Sequence, residues 1–222
     1  MPRLHVLRVF TNEDGEWGNH LGVFLDAKGI PAARRQQIAA ELGYSETVFV
    51  DNRETGELQI FTPATELPFA GHPLVGTAWL LRHEGVGVSV LRPPAGEVGV
   101  RFEDRAAFIT ADPAWAPGFE PLQLSDPAAV RDLDGPPTAA DETYAWAWID
   151  EDAGTIRARG FAPGFGIPED EATGSAALAL CARLGRAVTI NQGRGSVLIA
   201  RPLGDGRAEV GGQVALDEVR DF

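Results

Sequence analysis

Phe61-Thr-Pro-Ala-Thr-Glu-Leu-Pro-Phe-Ala-Gly-His-Pro-Leu-Val-Gly-Thr-Ala78 has a counterpart later in the chain, Phe161-Ala-Pro-Gly-Phe-Gly-Ile-Pro-Glu-Asp-Glu-Ala-Thr-Gly-Ser-Ala176. Both read Phe-x-Pro-x-x-x-(Leu or Ile)-Pro, then a short polar turn, then Gly-(Thr or Ser)-Ala opening an apolar run; the second copy is two residues shorter before its Gly-Ser-Ala. A stretch that recurs with its prolines in register marks two related halves. The runs after the turns, residues 73–81 and 174–182, have helical length and are apolar nearly all round. A helix without a polar face belongs in an interior, so each half is expected to wrap sheet around one central helix. Pro73 suits a first helical position. Each turn then presents free backbone N–H groups at a positive helix end, where carboxylates and other anions are attracted. Two such ends meeting across a cleft would form a site.

Outward from the repeats, residues 3–10, 21–25, 45–50 and 58–62 read as strands of the first half, with an amphipathic helix over 31–42 that turns Ile38, Ala39 and Leu42 inward and ends at Gly43. Gly85 closes the first buried helix, and residues 86–91 and 98–102 return to sheet. The second half opens with a strand over 106–110, passes through loops around one short helix at 112–141, and continues with strands at 143–149, 156–159, 196–200 and 208–214. The fold class is therefore α+β, with two pseudo-symmetric halves, 1–104 and 105–222, each a barrel-like, mostly antiparallel sheet. No linker composition separates them, so they are expected to share an interface.

The 222 residues are long enough for two small domains, and the 44% apolar content supports a real core. A formal charge of −13 argues against nucleic acid and anionic membrane as partners. A small anionic substrate would rely on the two helix ends. The N-terminus alternates with strand period rather than resembling a signal peptide, and no stretch approaches the roughly 18 apolar residues of a membrane span, so a cytoplasmic protein is the simplest reading. Cys181 is the only cysteine, which excludes an intramolecular disulfide and a cysteine-built zinc site; His5, His20, His72 and His83 lack metal-ligand spacing. No metal and no cofactor is expected, and no Walker, dinucleotide or Gly-x-Ser-x-Gly motif is present.

Five residues stand where chemistry could be done. Glu46 begins an apolar strand, either as a solvated strand-end carboxylate or as a general acid/base tuned by burial. His72 precedes Pro73, as a turn residue or as a group that orients substrate or relays a proton. Asp170 and Ser175 bracket the second helix start, where capping is the ordinary use of such residues. Asn19 lies in a Gly-Asn-His turn, where Asn is common for backbone reasons.

Taken together, Gly18-Asn19, Ser45-Glu-Thr-Val-Phe-Val50, Phe61-Thr-Pro63 with Glu66-Leu-Pro-Phe-Ala-Gly-His-Pro73, and Glu169-Asp-Glu-Ala-Thr-Gly-Ser-Ala176 resemble the phenazine-biosynthesis (PhzF-like) isomerase family over most of the chain. That family is similar in fold to diaminopimelate epimerase, with the active site in the cleft between the halves. The resemblance implies Glu46 as general acid/base, His72 and Asp170 as groups that line and polarise the site, and Gly71, Gly174, Ser175 and Asn19 as substrate contacts. It makes a homodimer unsurprising. The cysteine pair of diaminopimelate epimerase has no equivalent, since Cys181 falls inside the second helix. The chain departs from the family in being shorter than its typical members, with a compact second half, and at two positions: His20 stands where the family commonly has Pro, and so does Glu171. The expected activity is cofactor-independent proton transfer that isomerises a small carboxylate-bearing molecule. A racemase or epimerase acting at one carbon, or a noncatalytic anion-binding protein, are the alternatives.

Overall fold

The computed structural model describes residues 2–116 and 118–222. In chain order, Arg3–Thr11 (β1) and Asn19–Phe24 (β2) pair antiparallel, and Ala32–Leu42 (α1) leads to Glu46–Asn52 (β3), parallel to β2. Glu57–Phe61 (β4) and the short Glu66–Leu67 (β5) complete this edge. Gly71–His83 (α2) is followed by Val90–Leu91 (β6), Val98–Glu103 (β7) and Ala106–Ala111 (β8) in a meander. Then come Glu120–Gln123 (β9), the short Pro127–Arg131 (α3), and the hairpin of Thr143–Asp150 (β10) with Thr155–Ala162 (β11). Ile167–Asp170 (β12), Gly174–Leu184 (α4), Val188–Gln192 (β13), Ser196–Pro202 (β14) and Ala208–Asp221 (β15) finish the chain.

The strands form one continuous sheet in the order β5-β4-β3-β2-β1-β15-β14-β13-β11-β10-β9, with β8, β7 and β6 branching from β15. Around α2 the sheet closes into a ring, because Glu57 on β4 bridges to Arg92 just past β6, held by Arg92 N–H to Gly56 O at 2.7 Å. Closure removes an exposed edge and lets the helix sit inside. Gly71 through Leu81 are buried except the half-buried Trp79, so the helix without a polar face lies in the interior, as its composition demands. In the second half α4 packs on β14 and β15, burying seven of its residues, and Gly185 in the left-handed conformation caps it. One hydrophobic cluster runs through both helices and both halves. A second, smaller one lies under α1, where Ile38 and Ala39 meet Leu4, Phe24, Phe49 and Phe61.

The fold matches the expected class, with differences in detail. The first buried helix begins at Gly71, two residues before Pro73, because its opening turn is fixed by the facing helix rather than by local propensity. Leu42 is only half-buried, and the third fully buried position of α1 is Arg35, whose guanidinium is spent on Asp51, Gln59 and the carbonyls of Ala27 and Ile30. Strands β9, β12 and β13 arise where no strand is expected, and β15 runs to Asp221 by pairing its end with β1. The expected division between residues 104 and 105 falls at the turn of the β7–β8 hairpin. No helix among the described residues is long and apolar enough to cross a membrane.

Candidate active site

The starts of α2 and α4 abut. A Cβ added to Gly71 would lie 2.7 Å from the Gly174 carbonyl carbon and 2.9 Å from Ser175 N, so only glycine permits this approach of two backbones. Neither helix start is capped by a side chain: Ala70 has none to offer, and the Thr173 hydroxyl is engaged elsewhere. Two sets of orphan N–H groups therefore converge in the interior, a concentration of positive potential in an otherwise acidic protein.

A cavity of about 40 Å³ opens there, lined at its polar end by Glu46, His72, Asp170, Gly71, Gly174 and Ser175. Its other wall is apolar, formed by Leu67, Phe69, Phe119, Phe165 and Ile167. The repeat supplies this wall symmetrically, Leu67 and Ile167 occupying the same place before their prolines.

Glu46 enters from the first residue of β3, on the strand face that carries Val48 and Val50 toward α2. It is 9% exposed, and its Oε2 has no hydrogen-bond partner. Burial, and after it the charge of Asp170, push its carboxyl well above the usual carboxylate range. His72 Nδ1 lies 3.3 Å from that oxygen, and its Nε2 finds no well-formed hydrogen bond. Burial holds the imidazole down to about 3, the His20 backbone opposing this only in part, so His72 is neutral near pH 7 and the contact is not an ion pair.

Asp170 faces Glu46 from the end of β12, and both its oxygens are committed. Oδ1 accepts from Asn19 Nδ2 at 2.5 Å and Oδ2 from the Thr173 hydroxyl at 2.7 Å. Burial nonetheless outweighs these bonds and raises its carboxyl to about 6. Two carboxyls of different standing result: one oxygen free to move a proton, and one group held in place.

Asn19 is placed differently from the expectation. It stands behind Asp170 rather than on the cavity wall, its amide spent on Asp170, the Ala172 carbonyl and the Ser45 hydroxyl. Asn19 thus supports a residue that lines the site. The two departures from the family pattern also find their places. His20 is exposed and stacks on Tyr44 with ring centroids 6.1 Å apart. Glu171 turns away from the cavity and accepts from Arg194 N, Gly195 N and the Ser196 hydroxyl, at 2.9, 3.3 and 2.9 Å. Ser196 Oγ in turn accepts from Gly18 N–H at 3.0 Å, clasping the first half to the second.

Gln192, Thr173 and Tyr144 form a buried network behind the second helix start that the sequence reading missed. One signal was present: Val188, Ile190 and Gln192 alternate on the buried face of one strand, so an amide stands at a core position. Among the described residues no group of three or more His, Cys, Asp or Glu could hold a metal ion.

With this geometry in place, residues 7–128 match the family described as phenazine biosynthesis-like protein. The chain belongs to that family. It is 32% identical over 243 residues to the trans-2,3-dihydro-3-hydroxyanthranilate isomerase of Pseudomonas fluorescens, a match covering 86% of this chain and 87% of that one. It is 46% identical over 133 residues to an uncharacterized isomerase of Mesorhizobium japonicum, covering 55% of this chain and 43% of the relative. A crystal structure of a PhzC/PhzF protein from Clostridium difficile superposes with a TM-score of 0.80 at 20% identity, covering 100% of this chain and 99% of the other, and shows the shared fold. By this kinship the protein is an isomerase.

Proposed function

We propose that the protein is a cofactor-independent isomerase that moves a proton from one carbon to another on a small unsaturated carboxylate. The observation that carries this is the unpartnered Oε2 of a nine-tenths-buried glutamate, standing where two uncapped helix starts meet. An anionic substrate group would lie on the helix N–H groups, its hydrocarbon part against Leu67, Phe69, Phe119, Phe165 and Ile167.

In the forward step the Glu46 carboxylate takes a proton from carbon, and the C–H bonding pair moves into the conjugated system. Charge develops on the substrate's oxygen, toward the helix starts, which are already oriented to receive it. The protonated Glu46 exchanges its proton with solvent and then delivers one proton to a different carbon, so composition is conserved and Glu46 returns to carboxylate. Burial makes this carboxylate a stronger base than one in water. Neutral His72 accepts a hydrogen bond from the protonated form and steadies it between the two steps. Asp170, with both oxygens occupied, holds position and helps keep the Glu46 pKa high.

The compound named for the Pseudomonas fluorescens relative, trans-2,3-dihydro-3-hydroxyanthranilate, is the first substrate to test. In D₂O, NMR should show double-bond migration with solvent deuterium appearing at the newly protonated carbon. Turnover without any label, at any carbon, would contradict exchange of the Glu46 proton with solvent between the two steps. Binding of this and related carboxylates without exchange would favour the noncatalytic anion-binding alternative.

A further inference from the structure

Building on the proton-shuttle reading, we infer that Gln192 is a positioning residue: acting through the Thr173 hydroxyl, it fixes the hydrogen bond that Asp170 receives and the shape of the turn that opens α4. Gln192 is fully buried and uses all four of its hydrogen-bonding positions. Its Nε2 donates to the Asp170 carbonyl at 2.9 Å and to Thr173 Oγ1 at 2.8 Å. Its Oε1 accepts from Thr173 N at 3.1 Å and from the Tyr144 hydroxyl at 2.9 Å. A backbone carbonyl can only accept and a backbone N–H can only donate, so these partners fix which way the amide faces.

The consequence falls on Thr173. Its hydroxyl oxygen already accepts from Gln192, and its one proton points to Asp170 Oδ2 at 2.7 Å. A threonine at a helix start ordinarily accepts from the helix's own N–H groups. Here that role is withheld, which leaves the α4 start free for a ligand and gives Asp170 a fixed donor. The strand beside this network makes room for it, since a side chain at Gly160 would collide with Thr173 Oγ1.

Several groups act on Asp170 in this arrangement. Glu46 faces it from β3, Tyr144 from β10, and Glu171 follows it in the chain, while Glu169 on its own strand is turned to Arg159. Burial, and after it the charge of Glu171, favour the protonated form of Asp170, and the bonds from Thr173, Asn19 and the Ala172 backbone oppose them.

The test reads Asp170 itself and needs no substrate. Protein labelled with ¹³C at the aspartate side-chain carboxyls is titrated by NMR, and the Asp170 resonance is identified by its loss in Asp170→Asn. Thr173→Val should raise the Asp170 midpoint by about one pH unit, because it removes the charge-assisted bond, and Gln192→Met should raise it by a part of that, because the Thr173 hydroxyl loses the donor that orients its proton toward Asp170. The double variant should show no rise beyond that of Thr173→Val. Gln192→Glu, nearly isosteric and therefore available if the Met variant does not fold, should raise the midpoint by more, since its acceptor oxygen draws the Thr173 proton away and adds charge. An unmoved midpoint in a folded Gln192 variant, or single shifts that add in the double variant, overturns the inference. Because no turnover is read, a midpoint shift in a protein without isomerase activity sinks only the proton-shuttle reading.

Discussion

Glu46 and His72 are both buried, and burial shifts each toward its neutral form, with opposite consequences for stability. Glu46 has a folded-state pKa above its unfolded one, so the stability it contributes is complete below the ordinary carboxylate range, roughly pH 4, and is lost as pH rises through the folded value. Glu46→Gln should therefore raise the melting temperature at pH 8 and change it much less at pH 4, as calorimetry at the two pH values would show; equal shifts would mean that no buried charge is being relieved. His72, held down to about 3, works the other way: its contribution is present above the unfolded pKa near 6.5 and is lost as pH falls toward 3. Asp170→Asn removes the charge that helps hold the proton on Glu46, so the acidic limb of kcat/KM should move to lower pH. A limb that stays put would remove Asp170 from the tuning of Glu46. At this scale Glu46, His72 and Asp170 were legible because they fall in motifs. Gln192 was not, since its partners lie on three elements far apart in sequence.

Among the elements, the meeting of two helix starts decides most. Gly71→Ala would force apart backbones already in contact, with Cβ at 2.7 and 2.9 Å from backbone atoms that cannot turn aside as a flexible side chain could. Overpacking of this kind costs about 1–3 kcal/mol, and the displaced N–H groups should also raise KM. Chemical denaturation together with steady-state kinetics would check both effects, and a variant with unchanged stability and KM would show that the close approach is dispensable. Both buried helices could be read from their lack of a polar face. Strands β9 and β12 could not: each carries a proline, each has only four residues, and β12 makes just two register pairs with β11. β13 has clear alternation, but it lies beyond a helix whose end masks its start.

Across the whole molecule, the cavity of about 40 Å³ is far smaller than the roughly 300 Å³ or more of a site that encloses a small ligand, so ligand entry is expected to part the halves. The clasp of Glu171 with Arg194, Gly195 and Ser196, and of Ser196 with Gly18, stands at that junction, with Arg194 lying over the Trp17 ring at 5.1 Å. Glu171→Gln should weaken it by about 1–3 kcal/mol, accelerate amide hydrogen exchange at residues 193–196, and speed both entry and release of a carboxylate ligand in stopped-flow measurements. Unchanged exchange there would assign the clasp no part in closure. The repeat made the two-half plan visible from sequence, but not the way β15 pairs with β1 and β8, nor the closing bridge from Glu57 to Arg92, because long-range pairing leaves no local pattern.

The central claim is that a single buried carboxylate carries the proton, and isotope exchange under single-turnover conditions tests it most directly. With a carboxylate substrate in D₂O, the wild type should place deuterium on carbon, whereas Glu46→Gln should bind the same compound with similar affinity and incorporate label slower by a factor on the order of 10² or more. Incorporation by the variant at the wild-type rate would contradict the assignment of Glu46 and the mechanism built on it.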